Sequence, residues 1–580
     1  MTPNSQRLTL HLALLCTIVA ASLPFQDDGK CTEAKEMKLD DVRYVRMEEA
    51  IKGMKLDGWE EEWISSGRTS HKFQKVPKID FVYTWVNGSD PYFTETESAY
   101  AGVYSKDRRW QKNHKNHRWN ELDELRYGIR SVWSFAQDFL NNLFIIVNEV
   151  WDGEKWIDQV PSWFNSEKDN ERVKIIGTKQ IFREEAKDCL PTFNSNTIET
   201  QLHNTRSSVD IFVALSNDMM LGTDHSASDF YSPLFGLTLG FGYETPPNRQ
   251  VPFSESEISS LPANDIAIGT SSFMLSRLFG IRTRLTPYHF GHVMSRSLTH
   301  EAFHSFPQLS LTSSLSRYRN DATQMDTWFL TSHYVMERFR EALLWSYLSL
   351  RMDSDGNGII DLMERKAIIK DIIKVKYQPG YMRTHRQLHF EMDEVLHGAD
   401  LPPTMAETIR WTSMDGPVGM DVQCQWFNPE TCFSHSDVPG NITIERALDN
   451  FVRSNTQCGD CTIQRLLQDH PRGYEPLLPP REKVQERDMA IKAIRRYQYS
   501  VVPNSMSRFV SLKGEMDVPL LKKRGGDIKD SLHSPVVPQY CFNDDLNEKL
   551  TEEMVERTKQ NLWHFYESIA SVPTPFEKRE

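Results

Sequence analysis

IDFVYTWVNGSDP, residues 79–91, is the stretch from which the fold is read. Ile79, Phe81, Val82, Tyr83, Trp85 and Val86 are β-branched or aromatic, the composition of a covered strand. The run then breaks into Asn87-Gly88-Ser89-Asp90-Pro91, a loop of turn formers. One acid, Asp80, lies inside the apolar run, and another, Asp90, lies near the end of the loop. Working outward, apolar residues at helical spacing predict an amphipathic helix over 120–138. LFIIVNEV (143–150), VKIIG (173–177) and IFVAL (211–215) read as strands, with a short helical piece at 197–203. Strands alternating with helices predict an α/β fold on a mostly parallel sheet. Such sheets bind ligands beyond the carboxyl ends of their strands, which is where the 87–91 loop falls.

The chain has 580 residues, too many for one core, so two to four subdomains are expected. With 39% hydrophobic and 25% charged residues, the composition is that of a globular protein. The formal charge of −13, from 80 acids against 67 bases, disfavours a general nucleic-acid binder but leaves room for a local basic pocket. Arg7 precedes LTLHLALLCTIVAASLPF (8–25), a short apolar run with small residues at 20–22. This reads as a secretory signal peptide or a short signal anchor, and places the protein in the secretory pathway.

Eight cysteines are present, and Cys16 lies in the leader, so at least one of the other seven lacks an intramolecular partner. Cys424, Cys432, Cys458 and Cys461 share a Gly/Pro-rich region where bridges would support a small core, and a four-cysteine zinc site is the alternative. Of two sequons, Asn441-Ile442-Thr443 is expected to be glycosylated and Asn87-Gly88-Ser89, inside the strand-loop motif, is expected to stay bare. Residues 241–265 read as a loop and 377–480 as irregular. Helices are expected over 323–352, 362–376, 483–500 and 545–570, and 26–75 as a peripheral helical extension.

DSDGNGIIDLME (353–364) matches a calcium-binding EF-hand loop. Asp353, Asp355, Asn357, Asp361 and Glu364 fill the side-chain ligand positions, the Ile359 carbonyl is the seventh-position ligand, and Gly358 makes the turn. No second loop is evident in the sequence, so a structural Ca²⁺ site is expected rather than a sensor.

Further polar clusters stand beside predicted strand ends. They are RWNELDELRY (118–127), PTFNSNTIETQLH (191–203), LSNDMMLG (215–222), RLTPYHFGHVMSR (284–296) and CFNDD (541–545). Taken with IDFVYTWVNGSDP, DELRYGIRSV and LPTFNSNTIE, this order resembles the Stealth family of sugar-phosphate transferases. Within that family it is similar to the N-acetylglucosamine-1-phosphotransferase alpha/beta-subunit branch, including the single EF-hand, VQERDMAIKAI and NLWHFYESIASVPTPFE, over about 78–577.

The resemblance implies transfer of a sugar 1-phosphate, typically from UDP-GlcNAc, to a glycan hydroxyl, with release of UMP in the Golgi lumen. It implies a catalytic Mg²⁺ or Mn²⁺, with Asp218, Asp544 and Asp545 as candidate ligands. His289 would be the base, and Arg319 would clamp a phosphate. Asp80, Trp85, Asn87, Gly88, Asp90, Arg126, Ser195 and Glu199 would bind substrate. The partners implied are a nucleotide sugar and a glycan or glycoprotein acceptor, and a homodimer is compatible with them. The corresponding division is leader 1–25, extension 26–75, first part of the catalytic core 76–340, EF-hand 341–376, disulfide-bearing region 377–480, and a C-terminal part 481–580 completing the active site. The sequence departs from the family pattern at Asn217, where an Asp is usual, at Glu121, and in lacking the long inserts of the animal alpha/beta subunits. Two rivals remain: a glycosyltransferase that releases UDP, and a non-catalytic calcium-stabilised binding protein.

Overall fold

A computed structural model describes residues 31, 41–104, 121–166, 172–246, 249–319, 323–374, 385–406, 408–415, 424, 427–433, 441–470, 472–503, 506–512, 537–544, 546 and 551–578. The leader, the 118–120 part of the RWNELDELRY cluster and Asp545 lie outside these residues. No helix among the described residues is long and apolar enough to cross a membrane.

Strand β1 (Ile79–Trp85) is buried on both faces, as a central parallel strand must be. It lies between β2 (Leu140–Val147) and β4 (Ile211–Ser216), parallel to both. β3 (Val173–Gly177) extends the sheet in parallel beside β2. β6 (His292–Ser295) closes the other edge, antiparallel to β4. The chain therefore builds outward from β1 through β2 to β3 and then returns to the far side of β1 with β4. That reversal is a topological switch point, and it opens a crevice beyond the carboxyl ends of β1 and β4. The strands fall where the sequence places them, with β2 beginning three residues early.

Helix α1 (Glu124–Phe135) is shorter than the expected 120–138 because Asp123 takes a left-handed conformation, φ 63°, and the helix starts after it. α1 packs on β5 (Met219–Leu221) through Gly128. A Cβ there would stand 2.9 Å from the Met219 carbonyl and 3.0 Å from the Tyr83 hydroxyl, so any side chain would push the helix off the strand. β5 belongs to a second sheet, in which it pairs antiparallel with β8 (Gln539–Asp544) and β8 pairs in parallel with β7 (Ser507–Leu512). A third sheet joins Gly236–Gly240 in parallel to Tyr499–Val502. Strands from the C-terminal part of the chain thus complete the structure begun by β1.

The C-terminal segment is locked to α1 by charge. Glu577 receives Arg130 at 2.7 Å and Arg126 at 2.8 Å, with Glu577 and Arg130 almost wholly buried. Burial would raise the Glu577 carboxyl, but hydrogen bonds from Arg130, the Thr574 amide and Arg126 hold it down to about 2. Helix α5 (Glu552–Ile569) lies in the same interface, with Tyr566 stacked on Tyr127.

Several sequence expectations are corrected. The 241–265 segment contains a helix, Glu255–Ser260, started by a capping box between Ser254 and Glu257. The 377–480 region holds the helices His385–Gly398, Ile444–Asp449 and Thr456–Leu467, the first burying Leu388, Met392 and Leu396 at helical spacing and the last tied by Cys458 and Cys461 to Cys432 and Cys424. Cys424 bonds Cys461 and Cys432 bonds Cys458, which removes the four-cysteine zinc alternative. Cys31 is tied to Cys189, and Cys541 is the unpaired cysteine among the described residues. In the 26–75 extension, Trp63 and Ile64 are buried in the main core, so that segment is not merely peripheral.

The 353–364 loop lies between helix α3 (Thr327–Trp345), which runs on as a π-helical turn to Met352, and helix α4 (Leu362–Lys374). Oxygens of Asp353, Asp355 and Glu364 gather within 4.8 Å of one another. The loop does not stand alone as expected. Its short strand Ile359–Ile360 pairs antiparallel with Ile442–Thr443, which leads directly into the helix Ile444–Asp449. A structural partner for the loop therefore exists without the acidic ligands that a sequence search would detect. Asn441, at the start of that partner, is exposed.

Candidate active site

Three segments converge at the switch point. Ser216, the last residue of β4, is level with Thr84 of β1, and the chain turns there through Asn217 and Asp218 before β5. β6 runs antiparallel to β4 with His292 opposite Ala214, so His289, three residues earlier, overhangs the carboxyl end of β4. Cys541 of β8 is opposite Met219 of β5, which brings its thiol against Asp218. The Phe542 amide donates to the Asp218 carbonyl at 2.9 Å. The Cys541 thiol donates to Asp218 Oδ2 at 3.4 Å. Ligand-type atoms of Asp218, His289 and Cys541 all lie within 4.8 Å of one another.

The electrostatics are those of a carboxylate group crowded out of water. Burial raises the Asp218 carboxyl, against the pull of His289 and of the Cys541 hydrogen bond. Asp218 Oδ1 is buried and has no hydrogen-bond partner among the described residues. Burial raises the Cys541 thiol well above its usual range, and the Asp218 charge adds to it. Glu124, at the start of α1, is raised strongly by burial and by Glu121. Glu121 itself is pushed up to about 7, again mainly by burial, although Trp85 Nε1 donates to it at 2.9 Å.

A second group adjoins the first. Arg319 Nη2 donates to Ser195 Oγ at 2.6 Å, on the first residue of helix α2 (Ser195–Glu199). α2 is stitched to the chain leading to Arg319: Thr192 Oγ1 donates to the Ser316 carbonyl at 3.0 Å, and Asn194 Nδ2 to the Tyr318 carbonyl at 3.2 Å. Burial and Asp326 raise Glu199 to about 7, while Arg319 and Ser195 oppose the rise. Asp326 caps α3 through the Phe329 amide at 2.8 Å, and its carboxyl, raised by burial, also feels His289. His292 is not equivalent to His289. It is a half-buried strand residue stacked on Trp328 at 4.5 Å, with its pKa driven well down by the burial of its ring nitrogens. His289 is exposed.

The strand-loop motif is divided by the structure. Trp85 is at the crevice through Glu121. The Asn87 carbonyl and Asp90 Oδ2 both accept from Gln159 Nε2, at 3.0 and 2.9 Å, and Asn87 Oδ1 accepts the Ser89 amide at 3.0 Å. Gln159 therefore shapes the loop around Gly88, a role without any sequence signal. Asp80 is a correction. It sits at the opposite end of β1 from Trp85, wholly buried, where it pairs with Arg296 at 3.0 Å and accepts from Asn141 Nδ2 at 2.8 Å. It fixes the sheet and is far from the crevice. Arg126 faces a separate cleft with Trp563, Glu567 and Glu577 rather than the Asp218 group. Asp544 follows Cys541 by three residues, so strand alternation turns it to the opposite face, where it accepts the Leu546 amide at 2.9 Å. Cys541, rather than Asp544, is thus the β8 residue brought against Asp218, and the deciding signal was the register of β8 on β5.

A Mg²⁺ or Mn²⁺ ion takes oxygen ligands, commonly one or two carboxylates with phosphates and water completing the shell. The partnerless oxygen of Asp218 fits one such position. The neighbouring sulfur and imidazole do not add to an oxygen shell.

Comparison with known proteins finds similarity over the first part of the chain. Stealth protein CR1, conserved region 1, matches residues 77–101, and Stealth protein CR2, conserved region 2, matches residues 118–237. An exopolysaccharide phosphotransferase of Streptomyces coelicolor is 28% identical over 277 residues, 47% of this chain and 42% of that protein. A 3-O-alpha-D-mannopyranosyl-alpha-D-mannopyranose xylosylphosphotransferase of Cryptococcus neoformans is 28% identical over 344 residues, 54% of this chain and 39% of the relative. A capsular polysaccharide phosphotransferase of Streptococcus pneumoniae is 31% identical over 155 residues, 27% of this chain and 42% of the relative. The chain spans about two fifths of the length of each of these relatives.

Proposed function

We propose that this chain, which carries the first two Stealth conserved regions, transfers a sugar 1-phosphate from a nucleotide sugar to a glycan hydroxyl. The donor we favour is UDP-GlcNAc, with UMP as the leaving product. The observation that carries the reading is the placing of Asp218 and His289 together at the switch point, with the Arg319–Ser195 pair linked to His289 through Glu199 and Asp326.

The reaction joins the acceptor oxygen to the sugar-bearing phosphorus and breaks that phosphorus's bond to the oxygen bridging the two phosphates. His289 accepts the acceptor hydroxyl's proton as the new bond forms. It is suited to this because it is exposed at the crevice while His292 is locked behind it. Arg319 binds a phosphate through its guanidinium, oriented by Ser195. Asp218 would hold a Mg²⁺ or Mn²⁺ ion, which when bound supplies charge neutralisation on the diphosphate. Trp85, fixed by Glu121, and the 87–90 loop, held by Gln159, shape the nucleotide-sugar side of the crevice.

The same reading places Ca²⁺ at the 353–364 loop, a glycan on exposed Asn441, and the protein in the lumen of the secretory pathway, with the Golgi as the working compartment. A glycan or glycoprotein is the acceptor class. The test incubates the protein with UDP-GlcNAc or UDP-xylose, a simple mannoside and Mg²⁺ or Mn²⁺, and identifies the nucleotide formed. UMP with UDP-GlcNAc supports the full proposal. UMP with UDP-xylose alone keeps the reaction and changes the donor. UDP as the product would make the protein an ordinary glycosyltransferase.

A further inference from the structure

We propose that Asp218, His289 and Cys541 form a binding site for a thiophilic divalent cation of the zinc class, and that filling it stops sugar-phosphate transfer. The binding half stands on the geometry alone, whereas the inhibitory half rests on the role of His289 proposed above.

The three donors come from separate segments, the β4–β5 turn, the loop before β6, and β8, and each offers a different ligand atom. A tetrahedral zinc site with bonds of roughly 2.0–2.3 Å separates its ligand atoms by about 3.3–3.8 Å. The Cys541 sulfur and Asp218 Oδ2 are already 3.4 Å apart. His289 is exposed and within 4.8 Å of both, so a small rotation of one unconfined side chain completes three positions. A hard cation such as Mg²⁺ finds one oxygen in this set, while a borderline ion finds oxygen, nitrogen and sulfur together. Zinc sites with three protein ligands keep a fourth position for water or a substrate oxygen, and the exposed His289 side of this group is open.

Two observations set the site apart from an incidental cysteine contact. Asp218 Oδ1 is buried without a partner, an arrangement that an added cation would relieve. Among the described residues the other cysteines are consumed in disulfides, so of these Cys541 alone can supply a thiolate. Binding replaces the thiol proton with the metal and releases that proton to solvent. Once the imidazole nitrogen is bound to the ion, it has no lone pair left for the acceptor's proton.

The experiment titrates Co²⁺, a spectroscopic stand-in for zinc, into the calcium-loaded full chain without nucleotide. The expected result is one cobalt per chain with a near-ultraviolet thiolate-to-cobalt band, bleached by zinc. Cys541→Ser should abolish the band while retaining the wild-type circular dichroism. His289→Ala, at an exposed position, should weaken cobalt binding about tenfold or more. Zinc at the concentration that bleaches the band should abolish UMP formation, with recovery after chelation and return of Mg²⁺. Absence of the band in the wild-type protein, or its persistence in folded Cys541→Ser, overturns the site. Should Cys541→Ser not fold, unchanged cobalt affinity in His289→Ala overturns it. A zinc-loaded protein that still forms UMP leaves the site standing and overturns the inhibitory half, and with it the assignment of His289 as base.

Discussion

The loop at 353–364 and the cluster at Asp218 place cation-type ligands in opposite ways. The loop draws them from twelve consecutive residues, so its chemistry is written in one line of sequence. The cluster draws Asp218, His289 and Cys541 from segments more than 250 residues apart at their extremes, joined by the pairings β6 on β4 and β8 on β5. A local site is tuned by its own residues. An assembled site inherits the integrity of every contact that sets its registers.

The largest effects should come from the assembled site. His289→Ala and Asp218→Asn should each lower kcat about 10²–10⁴-fold, the usual range for losing a positioned proton-transfer or charge-bearing group. Melting temperatures should remain near wild type, and His292→Ala should show the reverse pattern, with stability lost first, because its ring is stacked flat on Trp328. Comparable stability losses in His289→Ala and His292→Ala would erase the distinction between them.

Next in size is the clamp that brings the C-terminal part to α1. Its carboxyl, Glu577, is held at about 2 in the folded chain against 4.5 when free. A depressed acid contributes stability that is complete above its unfolded value and is lost as pH falls through the folded value. The shift corresponds to about 3 kcal/mol. Glu577→Gln should lose about that much at pH 7, and the gap to wild type should narrow as pH falls from about 4.5 towards 2. Denaturant melts across that range measure it, and a constant gap would show that the ion pairs with Arg126 and Arg130 do not set the clamp.

The local site predicts an effect of similar or smaller size, confined to calcium. Ca²⁺ at 100 times its dissociation constant should stabilise the protein by about 2.7 kcal/mol, and EDTA should remove that increment. Glu364→Gln should lose most of it, because Glu364 reaches back across the loop to the Ser354 amide. A melting curve indifferent to calcium and EDTA would contradict a structural Ca²⁺ site. The smallest effect concerns Glu199, which loses its proton near pH 7 beside Arg319. Its ionised form competes with phosphate for that guanidinium, so the donor KM should rise severalfold as pH passes upward through about 7, and Glu199→Gln should flatten the profile.

Much of the parallel sheet was legible because strands buried on both faces read as continuous apolar runs. The gathering of Asp353, Asp355 and Glu364 was legible because these residues lie within one short stretch of sequence. Side-chain destinations fixed by tertiary register were not. Asp80 and Trp85 share one strand and five residues of sequence, yet parallel pairing sends one to the sheet's base and the other to its crevice. Gln159 has no motif at all, and only folding brings it to the 87–90 loop. An odd cysteine count showed that one thiol lacks an intramolecular partner, but that it is Cys541 and that it meets Asp218 depend on β8 meeting β5 in one particular register. The partner strand Ile442–Thr443 was hidden because pairing needs backbone and apolar side chains, while the motif that announces an EF-hand is its acidic ligands.

The central claim is that phosphorus travels with the sugar. UDP-GlcNAc labelled in the phosphate next to the sugar tests it when incubated with the full chain, a mannoside acceptor and Mg²⁺ or Mn²⁺, the products being separated by charge. The account predicts the label in an acidic, acceptor-linked phosphodiester, with unlabelled UMP formed in equal amount. Label retained in UDP, alongside a neutral glycosylated acceptor, would contradict it.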